Sequence, residues 1–460
     1  MVMTLISLGY NLILSIERKI RGKAMKKIIR NRLVGNIISL IILQGSNYIF
    51  PLLTFPYLVR VLGVANYGII IFCVSLMQFL NIFIDYGFDI SGTREISLYK
   101  SNWFKVNEKY NIIMSIKIFL AFIIGIVFIT IVLTIPYFEQ NRGTYLLSYL
   151  IVLGNVMFPT WLYQGLEQMK YITYMNVITK ILVTLMIFIF IKDKNDLFFA
   201  ILFQTFYYVI PGIISIFFVN LKFNLKFKLV YDFDPLIFEL KKGMHIFMTN
   251  LWIKFYNQGP ALVLGLISNN NAVGNYGIGQ KIQTAFSGIT QPITQAIYPR
   301  ICELYEINYR KFNLYSKRLL IYSFITSGIL TISLCMLSPY LVYFITQTRN
   351  DNIINLVKLF SLIVFLSIVN TVLSRIMYAM NLQKFLNKNY FKAALVFIVL
   401  SVPLSFQFKE YGMTIVVIIA QGVVFVFNYF NYKAAKKELD FKKKKKYYSV
   451  IHKITNGGKK

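Results

Sequence analysis

Apolar runs about one bilayer thick recur along the whole 460-residue chain, parted by short polar stretches. Roughly 20 apolar residues cross a hydrocarbon core as a helix. The alternation predicts twelve spans, at 33–59, 68–92, 111–135, 144–165, 171–191, 197–219, 243–267, 276–298, 319–340, 353–378, 389–408 and 411–432. No polar stretch between them is long enough for a soluble domain. Basic residues outside the spans alternate in density: thirty-six fall in one set of alternate segments, both tails included, and six in the other. The positive-inside rule puts the rich set, and both termini, in the cytoplasm. One span more or fewer would scramble the alternation.

A short polar pattern repeats at half-chain distance. "GVANYG" at Gly63–Gly68 joins spans one and two; "VGNYG" at Val273–Gly277 joins spans seven and eight. Six spans per half give both halves the same orientation, as in parallel repeats about an axis normal to the membrane. The helix before each copy carries bend residues, Pro51 and Pro56 in the first half and Gly259 and Pro260 in the second. Proline removes a backbone hydrogen bond, which a membrane helix tolerates where protein or a wet cavity satisfies the freed carbonyl. The expected architecture is an all-α polytopic membrane protein with two six-helix lobes around a central cavity. Residues 1–32 form a cytoplasmic tail, 33–219 the first lobe, 220–242 a cytoplasmic linker, 243–432 the second lobe and 433–460 a basic cytoplasmic tail. "TLISLGYNLILSI" near the start is too short to span and lacks a signal-peptide cleavage site. It is read either as an amphipathic surface helix or as an extension upstream of a start at Met25.

Composition agrees. Hydrophobic residues make up 57% and charged residues 15%, against about 25% charged in soluble domains. The net charge of +31 does not indicate nucleic acid, because the basic residues follow the topology. Cys73, Cys302 and Cys335 lie far apart and His245 and His452 stand alone, so no metal site is expected. GxSxG, HExxH and Walker patterns are absent from the sequence, which argues against an ATP-driven pump within this chain.

The stretches "GSNYIFPLLTFPYLVRVLGVANYGIIIF" and "FIDYGFDISGTREIS" resemble the opening of polysaccharide-biosynthesis flippases, within the superfamily that includes multidrug and toxic compound extrusion transporters. "VGNYGIGQKI" and "IYPRICEL" fit the same pattern in the second half. The resemblance implies carriage of O-antigen or capsular repeat units on undecaprenyl pyrophosphate, by rocker-switch alternating access in a bacterial cytoplasmic membrane. The implied partners are membrane lipid, that lipid-linked substrate and the polysaccharide polymerase. No cofactor is implied.

Charges inside the spans supply candidate chemistry. Lys180 lies nine residues into its span and Lys254 eleven, about 13–17 Å deep at ~1.5 Å per residue. Lys117 lies about 9 Å in by the same measure, and Lys281 follows the second polar hinge at the outer end. A lysine at the bilayer centre costs around 2.5–3.5 kcal/mol. Three would cost on the order of 8–10 kcal/mol, comparable to a protein's net stability. They are read as lining a wet cavity that receives an anion such as a pyrophosphate; structural ion pairs are the alternative. Lys358, Arg375 and Lys392 lie near span ends, where snorkelling suffices. Asp85 and Asp89 end the second span. With Arg94 and Arg300 at the inner ends of spans two and eight, they are candidates for a gate or for coupling to a proton or sodium gradient; a local Asp89–Arg94 pair is the plainer reading. Trp161, Tyr163 and Gln164 are candidates for stacking on or bonding sugars. The competing functions are a drug exporter of the same superfamily, which would want intramembrane carboxylates, a major-facilitator carrier, and a membrane glycosyltransferase, for which the outer loops are too short.

Overall fold

The computed structural model describes residues 23–456, and among these there are helices and no strands. The first half holds α1 (Lys23–Asp85), α2 (Phe88–Leu98), α3 (Trp103–Thr134), α4 (Arg142–Ser148), α5 (Leu150–Met157), α6 (Thr160–Gly165), α7 (Met169–Phe190) and α8 (Leu197–Phe223). The second holds α9 (Phe233–Ile267), α10 (Asn270–Gly288), α11 (Gln291–Ile307), α12 (Tyr309–Thr346), α13 (Asp351–Ala379) and α14 (Gln383–Asn456). The expected amphipathic segment before residue 23 lies outside the described residues.

Two of these helices turn back on themselves. Gly63 has φ 80° and ψ 165° inside α1, a conformation glycine adopts without a Cβ penalty. The rings of Phe55 and Tyr67 lie 6.2 Å apart across it, where a straight helix would part them by about 18 Å. Lys409 (φ 47°, ψ −128°) breaks α14 in the same way, bringing Gly412 against the carbonyl of Leu404.

Eight helical stretches among the described residues are long and apolar enough to cross a membrane, and two of them, in α1 and α14, contain these reversals. The seventh and eighth expected spans, α9 and α10 with α11, are not among the eight. Their polar content is the reason: α9 carries Lys241, Lys242, His245 and Lys254, and α10 carries Asn275, Gln280, Lys281 and Gln283. The apolar run is thus not uniform along the chain. Burial varies independently of it: 17% of the apolar window of α12 is buried, against 67% for α1.

The two polar hinges pack against each other. A Cβ on Gly68 would lie 2.0 Å from the carbonyl oxygen of Asn270, and one on Gly274 would lie 2.1 Å from that of Val64. Backbone meets backbone there, as small residues permit between membrane helices. Each hinge asparagine also repeats its partner's role. Asn66 donates to the Lys194 carbonyl at 2.8 Å, in the turn before α8. Asn275 donates to the Glu410 carboxylate at 2.9 Å, in the turn inside α14. The backbone stays helical through Pro51, Pro56, Gly259 and Pro260; the chain reversal between the first two expected spans occurs at Gly63.

Candidate functional site

A cavity of about 460 Å³ opens in the first half. One face of α7 lines it with Ile172, Asn176 and Lys180, and α1 lines it with Asn47, Pro51, Thr54 and Tyr67. The Lys180 ammonium donates to Asn47 Oδ1 and, at 3.3 Å, to Ser46 Oγ. Lys281 enters the same cavity from α10, in the other half of the chain. It has no hydrogen-bond or ion-pair partner among the described residues. No carboxylate among them lines the cavity. Lys281 is therefore not at the outer end of its helix as the sequence suggested. α10 begins at Asn270 rather than near 276, which puts Lys281 about 16 Å along it.

Lys117 and Lys254 lie elsewhere. Lys117, 2% exposed, is held by Asp85 at 2.8 Å. Asp89 starts the next helix and accepts from Thr160 Oγ1 at 3.1 Å, rather than pairing with Arg94. Lys254 is exposed and within electrostatic reach of Asp89, but it does not line the cavity that holds Lys180. Thr160 does line that cavity, so one hydroxyl joins it to the aspartate cluster.

At the lysine-rich end of the molecule, Glu95 on α2 is bonded by Lys242 of α9, and Lys109 on α3 is bonded to Glu239 of α9. Glu95 and Glu239 are both buried. Tyr86 stacks on Phe247 beside them at 4.5 Å. These contacts join the two halves. Arg94 is exposed, and Arg300 pairs with Glu303 one turn along α11 at 2.7 Å; neither arginine takes part. A charge tally reads Lys109 and Lys242 as loop cations. Their acids lie 130 and 147 residues away, and no local pattern marks them. At the hinge end, Arg60 donates to the carbonyls of Phe344 and Ile345 and covers the Phe344 ring at 5.0 Å.

Trp161 and Tyr163 do not offer a platform for sugars. Both are fully buried. Trp161 packs on Tyr110, and the Tyr163 hydroxyl bonds that of Ser215 at 2.8 Å. A second cavity, of about 710 Å³, lies wholly in the second half. The repeated hinge sets the two cavities in correspondence, because Tyr67 lines the first and Tyr276 the second.

Comparison with known proteins follows the same lines. The family model described as "Polysaccharide biosynthesis protein" matches residues 33–305. A protein of Escherichia coli (strain K12) named "Putative O-antigen transporter" is 31% identical over 392 residues, covering 85% of this chain and 94% of its own. One of the same name from Shigella dysenteriae is 26% identical, covering 85% and 98%. Among solved structures, the "Lipid II flippase MurJ, inward closed conformation" aligns with a TM-score of 0.64 at 12% identity, over 87% of each chain. An inward-facing "multidrug resistance MATE family transporter of the MOP superfamily" aligns with a TM-score of 0.60 at 14% identity, over 84% of this chain and 98% of its own. At such identities the structural likeness concerns the fold.

Proposed function

The chain belongs to the polysaccharide biosynthesis protein family, and from that premise we propose that it flips oligosaccharide repeat units on undecaprenyl pyrophosphate across the bacterial cytoplasmic membrane. One observation carries the reading: Lys180 and Lys281 line one cavity, and no carboxylate among the described residues stands in it. Ammonium groups within a bilayer are expensive unless something offsets their charge. A pyrophosphate does so through charge-assisted hydrogen bonds, which are strong in a dry site. It needs such a site, since an ion entering hydrocarbon unaided costs tens of kcal/mol by Born solvation. A cation exporter would want acids where these lysines stand. The relatives' names and the lipid flippase among the structural neighbours support the same reading.

On this reading the lysine-rich end faces the cytoplasm and the hinge end faces outward. The Glu95–Lys242 and Lys109–Glu239 contacts form the inner closure, and the glycine seam with Arg60 forms the outer one. Rocking one half against the other opens one closure while the second holds, and the polyprenyl tail stays in lipid. A proton or sodium ion at Asp85 and Asp89 drives the cycle, with Thr160 sensing both the aspartates and the cavity. The polymerase receives the product.

The test uses a producing strain whose own copy is replaced by Lys180→Ala or Lys281→Ala. Surface polymer should fall about tenfold or more, equivalent to ~1.4 kcal/mol, while lipid-linked units accumulate on the inner leaflet at unchanged protein level. Normal surface polymer in both variants removes the lysines from the mechanism.

A further inference from the structure

The second cavity has its own chemistry. Along α10, Gln280, Gln283 or Thr284, and Ser287 recur at helical spacing, and along α13 Ser367, Asn370 or Thr371, and Ser374 do the same. Residues three and four apart share a helix face, so each helix presents a polar stripe. The stripes meet where Ser287 Oγ lies 3.0 Å from Ser367 Oγ. Most of these groups are bonded within the protein, as Thr284 is to the Gln280 carbonyl at 2.8 Å and Ser374 to the Tyr390 hydroxyl at 3.2 Å, but hydroxyls and carboxamides keep further donor and acceptor capacity for an occupant with hydroxyls of its own. Arg375 is the one charged side chain among the described lining residues. It lies over the Tyr298 ring at 5.4 Å.

Asn370 carries the argument further. It is 6% exposed. Its amide nitrogen donates to Gln421 O at 3.0 Å and to Gln421 Oε1 at 2.9 Å. Its Oδ1 is buried with no hydrogen-bond partner among the described residues. A buried acceptor left unmade is unfavourable, and the residue that carries it lines the cavity. Carboxamides offer donor and acceptor side by side, which matches hydroxyls that both donate and accept. Tyr378 and Tyr390 are half-buried at its wall and add flat faces with polar edges. A drug pocket would be mostly apolar; this one is not.

We propose that the second cavity binds the saccharide part of the lipid-linked substrate. The proposal rests on the flippase reading and adds a division of labour to it. Adjacent residues of α10 face different cavities, Lys281 the first and Gln280 the second. One molecule can therefore place its pyrophosphate against Lys281 and its sugars along Gln280, Gln283 and Asn370. A volume of about 710 Å³ falls within the roughly 300–1,000 Å³ usual for ligand sites.

The experiment measures binding of two lipids to the full chain in nanodiscs: undecaprenyl pyrophosphate without sugar, and lipid-linked repeat units extracted from a polymerase-deficient producing strain. Asn370→Leu, and separately the milder Thr284→Val, should weaken the sugar-bearing lipid about tenfold and about threefold, ~1.4 and ~0.7 kcal/mol. Neither should change binding of the bare lipid, which also reports that the variants are folded. Lys281→Ala should weaken both lipids. Wild-type affinity for the sugar-bearing lipid in both second-cavity variants overturns the assignment and leaves the flippase reading standing. Binding of neither lipid by the unaltered chain overturns that reading, and this proposal with it.

Discussion

The cavity of the first half, where Lys180 and Lys281 stand without a carboxylate, and that of the second, where amides and tyrosines surround Arg375, lie beside the two copies of one hinge motif. The same hinge tyrosine lines each. What differs is how each handles polarity within a membrane. The first concentrates it in two ammonium groups, which need a counter-charge. The second sets one arginine among neutral groups, many of which hydrogen-bond in both directions. A handful of side chains gives two chambers beside the same motif different demands.

The largest expected break in this contrast is Lys281→Glu. It sets an acid beside Lys180 and should cut transport roughly a hundredfold, ~2.7 kcal/mol, read as surface polymer. Gln280→Ala, one residue away, should leave binding of the sugar-free lipid pyrophosphate unchanged. Equal losses in both variants with that lipid would mean that the cavities are not chemically separate. Next comes Asp89→Asn, which keeps the contact with Thr160 but removes the charge. Transport should fall about tenfold, ~1.4 kcal/mol, and lose its dependence on the proton or sodium gradient, with bare-lipid binding retained. Retained gradient dependence would take the aspartate out of the coupling scheme. The smallest effect concerns the two hinges. Asn66→Ala removes a bond to a carbonyl and should cost about 0.5–1.5 kcal/mol. Asn275→Ala leaves Glu410, 9% exposed, without its donor, and should cost about 1–3 kcal/mol. Thermal unfolding in detergent should rank them in that order; the reverse order would deny Glu410 its role.

The all-helical membrane class was legible from the apolar runs, because it is a pattern along the chain. Depth was less legible. The first turns of α10 are polar, so its start at Asn270 was hidden and Lys281 seemed peripheral. Pairing was not legible: Lys117 looked free until the fold brought Asp85 to it, and Glu95 found Lys242 across 147 residues. The stripes on α10 and α13 were visible in spacing. A search for charge passes over them, because serine and glutamine are inexpensive enough to look like ordinary filler in a helix.

Where Gly68 and Gly274 meet, the closest approaches are backbone to backbone, with the Val64 side chain alongside. Such a junction behaves as a catch with two positions, seated or released, rather than as a spring that yields by degrees. Each copy of the motif is also the other's socket. A bulkier residue in either one pushes on the backbone of the other, so the two segments tolerate substitution only as a pair.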